Sequence, residues 1–440
     1  MGMRIKHHNC DRVEAKKRIM SNIATNWRAL SGEKDWEGLL DPLDLDLRRY
    51  IIHYGERVAA VSDAFIGDKE SQNCGLSRYA KRHLFSMVGL EKGNPYDYEV
   101  TKYFYATTDI SSSDGLIKKS ISADPPAGDS NWIGYVGVTT DTGSTVLGRR
   151  DILISWRGTE GEAEWINDLT FDLVSASAIL GKEHDPKVHH GWYSMYTTSH
   201  EASTYNSISC RDQVLSEVSR LLEIYKDEEV SITVAGHSMG AAMATLNAVD
   251  IVYNGYNLKP SGADDPVNPC LVTVFGFGVP RVGDNGFLQV FSDLKNIHIL
   301  RVNNKPAGDI VPDLPPSVPV LFPYVDVGEE LIIDTRKSPF LKTNNPNAHN
   351  LEVYLHGVAG THGDNGEFNL DVNREIALVN KKSAALNPEL LVLDNWWITK
   401  NKSMVQNDDG SWVLLDHESD DSKEQAYGPK RRRLMGVNGK

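Results

Sequence analysis

The apolar positions of this chain fall into three successive patterns. From Ile23 to Ala64 they recur at helical steps, with Ser31-Gly32 and Asp41-Pro42 breaking the run into pieces. Tyr50 to Phe65 is the most amphipathic part. There Ile51, Tyr54, Val58 and Val61 fall on one face, which predicts a helix with a buried stripe. From about Tyr96 to Glu375, short apolar runs alternate with helical stretches. Val100–Ala106, Trp132–Val138, Asp151–Trp156, Val230–Val234, Leu271–Gly278, His298–Asn303 and Leu331–Asp334 read as strands. Arg211–Tyr225 reads as a helix through Val214, Val218, Leu221 and Leu222, and the Ala-rich run after Gly240 reads as another. Such alternation implies an α/β fold: a mostly parallel central sheet with helices on both faces. Beyond Arg374 come a short helix at Ile376–Asn380, the pair Trp396-Trp397, Trp412 and a polar tail. The basic run Lys430-Arg-Arg-Arg433 on that tail reads as solvated.

Composition changes this picture mainly by exclusion. The chain has 440 residues, 40% hydrophobic and 24% charged, an ordinary globular balance. Its net charge of -14 argues against nucleic acid as a partner and against non-specific adhesion to anionic membranes. Cys10, Cys74, Cys210 and Cys270 are scattered with no C-x-x-C pair, so neither a zinc site nor a disulfide framework is suggested. A reducing compartment fits them. The first residues lack an apolar signal region, and no run approaches the roughly 18 apolar residues of a membrane span. The expectation is a cytoplasmic protein without a transmembrane segment.

Candidate chemistry is concentrated at Gly236-His-Ser-Met-Gly240. A strand precedes this G-x-S-x-G and a helix follows it, the setting of a nucleophile elbow. Ser238 is the candidate nucleophile. A serine hydroxyl needs a neighbouring base, and the base needs an orienting carboxylate. In α/β-hydrolases these follow the serine in the order acid, then histidine. The loop Asn304–Pro312 after the strand ending at Asn303 offers Asp309, with Asp313 and Asp284 as alternatives. His349, His356 and His362 are the candidate bases. His349, at a loop–helix junction, is preferred, but His356 lies seven residues on along the same helix face, and the residues alone leave the two in competition. Oxyanion donors are expected from the N–H of Met239 and from Thr159, after the strand ending at Trp156.

These motifs occur in order with Glu164-Trp-Ile-Asn-Asp-Leu-Thr170, Val188-His-His-Gly-Trp192 and Pro280-Arg-Val-Gly-Asp284. Together they resemble the class 3 lipase family. Trp27–Gly32, Leu39–Asp44, Arg48–Glu56 and His349–His356 resemble, more closely, the plant phospholipase A1 class without a transit peptide, which is related to the anther-dehiscence type of acylhydrolase. The resemblance spans about residues 25–418. It implies an α/β-hydrolase fold and a serine ester hydrolase that releases the sn-1 acyl chain of phospholipids, without metal or cofactor. By motif, the family's nucleophile, acid and base fall on Ser238, Asp309 and His349. Its lid falls on Glu160–Asp168 and carries Trp165. The implied partner is a glycerolipid at a membrane or micelle surface. Two departures stand out: Met239 replaces a usual Leu, and Pro306 lies in the polar segment before Asp309.

The expected organisation is a flexible N-terminus at 1–23 and an N-terminal helical extension at 24–94 packed on the core. A catalytic domain at 95–375 follows, then a C-terminal extension at 376–418 and a polar, basic-ended tail at 419–440. Two other readings keep the same residues. One is a galactolipase or acylglycerol lipase on this fold. The other is a non-catalytic lipase-like signalling or scaffold protein.

Overall fold

The structure is a computed structural model that describes residues 22–109, 130–159, 171–260, 269–318, 321–343, 345–363, 366–397 and 404–414. Its centre is a seven-stranded sheet whose strands lie side by side in chain order. They are β1 (Tyr98–Ala106), β2 (Asn131–Thr139), β3 (Arg150–Trp156), β4 (Val230–His237), β5 (Leu271–Phe277), β6 (Ile297–Asn303) and β7 (Glu329–Ile332). The first two pairings are antiparallel, and β3 through β7 run parallel.

Neighbouring residues of a strand point to opposite faces, and this chain buries both. Ile152, Ile154, Ile232, Val234, Val272 and Val274 enter one core. Leu153, Ala235, Phe275, Leu300 and Val302 enter the other. Helices α2 (Cys210–Ile224) and α3 (Met239–Tyr253) cover the first face. Helices α1 (Leu45–Ala64) and α4 (Leu351–Gly360) cover the second.

Helix α1 starts before the predicted Tyr50. Asp44 caps it, its carboxylate accepting the N–H groups of Asp46 and Leu47 at 2.8 and 2.9 Å. It presses closely on α4: a Cβ on Gly55 would stand 2.2 Å from Leu355 Cδ2. Helix α1 is therefore one of the layers that build the second core. Behind it, Asp63 is paired with Lys381, and the Trp397 indole N–H reaches the Asp63 carbonyl at 3.1 Å. Trp396 and Trp412 stack nearby with ring centroids 4.8 Å apart. Ile376–Asn380 is a single 3-10 segment.

A second sheet of five strands, each two to four residues long, lies outside the sequence expectation. Its Gly283–Asp284 strand pairs with Phe322–Val325 and meets Lys187–His189 through Val188.

The parallel registers align strand ends. Trp156 pairs with Gly236, His237 with Phe277, and Phe277 with Val302. In a parallel sheet, this carboxyl edge is where loops gather functional side chains.

Candidate active site

Ser238 sits between β4 and α3 with φ 57° and ψ -131°. A non-glycine residue in that region is strained by about 1–3 kcal/mol. The strain is held in place by the flanking glycines. A Cβ on Gly236 would lie 2.1 Å from the Gly240 carbonyl oxygen, and one on Gly240 would lie 2.6 Å from the Trp156 carbonyl oxygen. Only glycine at both positions lets helix, strand and the exit of β3 meet. The Ser238 N–H donates to the Phe277 carbonyl at 2.9 Å, which pins the turn to the neighbouring strand. Its side-chain Oγ is buried and makes no hydrogen bond among the described residues.

Helix α3 begins at Met239, and the first N–H groups of a helix have no acceptor within it. Thr159 comes to the same place, its hydroxyl donating to Met239 Sδ at 3.4 Å. The two expected oxyanion donors therefore stand together.

On the far side, Asp309 and His349 meet. His349 Nδ1 and Asp309 Oδ2 are 2.7 Å apart, with the carboxylate side chain 1% exposed. The same Oδ2 accepts the Tyr354 hydroxyl, and Oδ1 accepts the Val311 N–H at 2.9 Å. Burial pushes the Asp309 carboxyl up. The His349 bond and charge, then the Tyr354 and Val311 bonds, outweigh it and hold the pKa below the usual aspartate value. His349 lies just before Asn350, whose side chain caps α4 by accepting the Glu352 N–H at 3.0 Å. It closes over the end of β5, where a Cβ on Gly278 would touch His349 Cε1 at 2.7 Å.

The alternatives go elsewhere. His356 is buried, its Nε2 2.7 Å from Ser338 Oγ, and burial followed by the nearby Arg374 pushes its pKa down to about 3. His362 neighbours Asp371 at 3.2 Å, beside Arg48. Asp313 pairs with Lys305 and Arg281 and is 57% exposed. Asp284 caps the helix Asn285–Asp293 through the Phe287 N–H. Trp165 and the expected lid lie outside the described residues.

Three contributors went unread in the sequence. Asn304 offers its N–H to the Tyr354 hydroxyl at 3.1 Å and its side-chain amide to the Ala348 carbonyl at 2.9 Å. Tyr354, in the first turns of α4, reaches Asp309 from 45 residues further along the chain. His237 was visible only as the variable second position of the elbow. A separate cavity of about 410 Å³ lies by Tyr96, Asp97, Thr142 and Val146, at the opposite end of the sheet from these groups.

The family model for Lipase (class 3) matches residues 153–318, a span that includes Ser238 and Asp309 and ends before His349. Phospholipase A1-IIgamma of Arabidopsis thaliana is 50% identical over 412 residues, covering 92% of this chain and 96% of the relative. Phospholipase A1-II 6 of Oryza sativa subsp. japonica is 48% identical over 415 residues, covering 93% and 99%. The chain belongs to the phospholipase A1-II family. Among solved structures, the native propeptide complex of Rhizomucor miehei lipase matches with 21% identity and a TM-score of 0.39, over 73% of this chain and 81% of that one. The strand–elbow–helix and the paired Asp309 and His349 are thus features of a phospholipase A1-II family member.

Proposed function

We propose that this protein is a serine phospholipase A1: it hydrolyses the sn-1 acyl ester of phospholipids through an acyl-serine. The observation that carries the reading is the Asp309–His349 pair set beside an elbow serine. The relatives' shared name, phospholipase A1, supports the substrate class. Ser238 Oγ attacks the ester carbonyl while His349 Nε2 takes its proton. Asp309 fixes the imidazole through Nδ1 and stabilises the cation that forms. The Met239 N–H and Thr159 hold the oxyanion, a donor pair in which each member is worth about 10²–10³ in rate. Collapse breaks the ester C–O bond. The imidazolium protonates the departing lysophospholipid oxygen, leaving the acyl chain on Ser238. Water activated by His349 then releases the fatty acid and restores the serine. Among the described residues Ser238 Oγ makes no hydrogen bond, and its bond to the base is proposed to form as substrate seats. Catalytic hydrogen bonds are commonly made only at that stage.

The enzyme meets its lipid peripherally. Among the described residues no helix is long and apolar enough to cross a membrane. A cytoplasmic location belongs to the proposal, supported by the buried Cys210 and Cys270, which form no disulfide among the described residues.

The test is phosphatidylcholine carrying different labels at sn-1 and sn-2, with Ser238→Ala alongside. Release of the sn-1 label, reduced by several powers of ten in the variant, is the expected result. Release from galactolipid or acylglycerol in place of phospholipid would reassign the substrate. Undiminished hydrolysis by Ser238→Ala would remove the serine from its role.

A further inference from the structure

His237, adjacent to the nucleophile, has no part in the mechanism above, yet it packs against both the base loop and the oxyanion loop. It ends β4 and pairs with Phe277. Its Nε2 lies 2.7 Å from the carbonyl oxygen of His349, and the two rings stack tilted with centroids 4.6 Å apart. On its other side it backs the oxyanion loop, where a Cβ on Gly158 would stand 2.7 Å from the His237 carbonyl oxygen and 3.5 Å from its Nδ1. The base loop is thus held by two successive carbonyls. Asn304, from the acid loop, holds that of Ala348, and His237, from the elbow, holds that of His349.

We infer that His237 is a positioning residue, which ties the base loop to the nucleophile elbow through its Nε2–H and sets the reach of the His349 ring towards Ser238. This rests on the roles proposed for Ser238 and His349. A carbonyl oxygen only accepts, so the proton of His237 sits on Nε2. Burial, and then the neighbouring His349, push the His237 pKa down to about 3, which keeps the ring neutral. Neutrality matters at this separation. A cation stacked on His349 would oppose the imidazolium that catalysis must form, while a neutral ring does not. Losing the bond frees the peptide between His349 and the capping Asn350. A displacement of about 1 Å at a reacting group costs up to about 10²-fold in rate.

The experiment compares the full-length wild type with His237→Phe, His237→Gln, His237→Asn and Ser238→Ala. The substrate is a short-chain phosphatidylcholine kept below its micelle concentration. kcat of the wild type and the His237 variants is counted per site titrated with a serine-reactive phosphonate, and that of Ser238→Ala per mole of protein, beside KM and the urea unfolding midpoint. His237→Phe keeps a ring without a donor and is expected to lose about 10- to 100-fold in kcat, with KM within about twofold. His237→Gln places an amide nitrogen where Nε2 was and is expected to recover most of that loss. The Asn amide is too short to reach the carbonyl, so His237→Asn should resemble Phe. If the Phe variant does not fold, the Gln–Asn contrast decides. Equal kcat per site in Gln and Asn, or wild-type kcat in Phe, would overturn the inference. Activity surviving in Ser238→Ala would instead overturn the roles on which it rests.

Discussion

Two buried carboxylates occupy opposite ends of the sheet, and their surroundings explain what each can do. Asp151, 0% exposed at the start of β3, accepts the hydroxyls of Tyr98 and Tyr54 on one oxygen at 2.6 and 2.9 Å. The other oxygen accepts Ser231 and Thr233 at 2.6 and 2.8 Å and faces Arg149 at 3.3 Å. Asp309 is comparably buried and is held by fewer groups, His349, Tyr354 and the Val311 N–H. The difference is the cation. Arg149 keeps its charge at every working pH and is itself held by Tyr50, Tyr54 and Ser231. His349 can gain and lose a proton. The Arg149–Asp151 cluster joins α1 to the strand starts as a brace. The Asp309–His349 pair sits at the strand ends, where a proton can be passed on.

Substituting each carboxylate in turn should separate rate from stability. Asp309→Asn is expected to lower kcat by about 10⁴, because the imidazole loses the partner that sets its tautomer. Its unfolding free energy should fall less than that of the next variant. Asp151→Asn leaves Arg149 uncompensated in the interior and is expected to cost about 3–5 kcal/mol of stability. Its kcat per titrated site should stay within about twofold. Urea unfolding and active-site titration on both variants check the pair. A reversed pattern would break the comparison.

The remaining effect expected is on pH. His237 and His356 have folded pKa values of about 3, set mainly by burial, against about 6.5 in an unfolded chain. The unfolded chain therefore binds protons that the folded one refuses. Their contribution is intact above pH 6.5 and is lost as pH falls towards 3, by up to about 1.4 kcal/mol per pH unit for each histidine. Asp309, with a depressed folded pKa, adds its own loss only below about pH 4. Urea midpoints at pH 7.5 and pH 5 should differ accordingly, and His356→Gln should flatten the difference. Equal midpoints would contradict this account.

Much of this was legible because period-two and helical patterns survive in long elements. The seven central strands lie close to where their apolar runs put them, and the interior ones, β2 to β6, bury both faces. The second sheet escaped because strands such as Gly283–Asp284 are too short to show a period. The start of α1 escaped because an aspartate cap, not an apolar residue, sets it. The competition between His349 and His356 had no local solution. Both lie on apolar text, and only tertiary placement puts one against Asp309 and the other against Ser338. Tyr354 and Asn304 act through partners 45 and 44 residues away, a distance no spacing rule covers.

The tight seat of Leu355 against Gly55 also has a consequence for biosynthesis. The ribosome makes α1 some 300 residues before α4, so α1 waits for its partner while the residues between them are added. A nascent chain stopped before Leu351 carries the serine and the acid but lacks the helix that anchors the histidine loop. Lipid-cleaving capacity therefore arises only after α1 and α4 have met. Contacts between such distant segments form slowly.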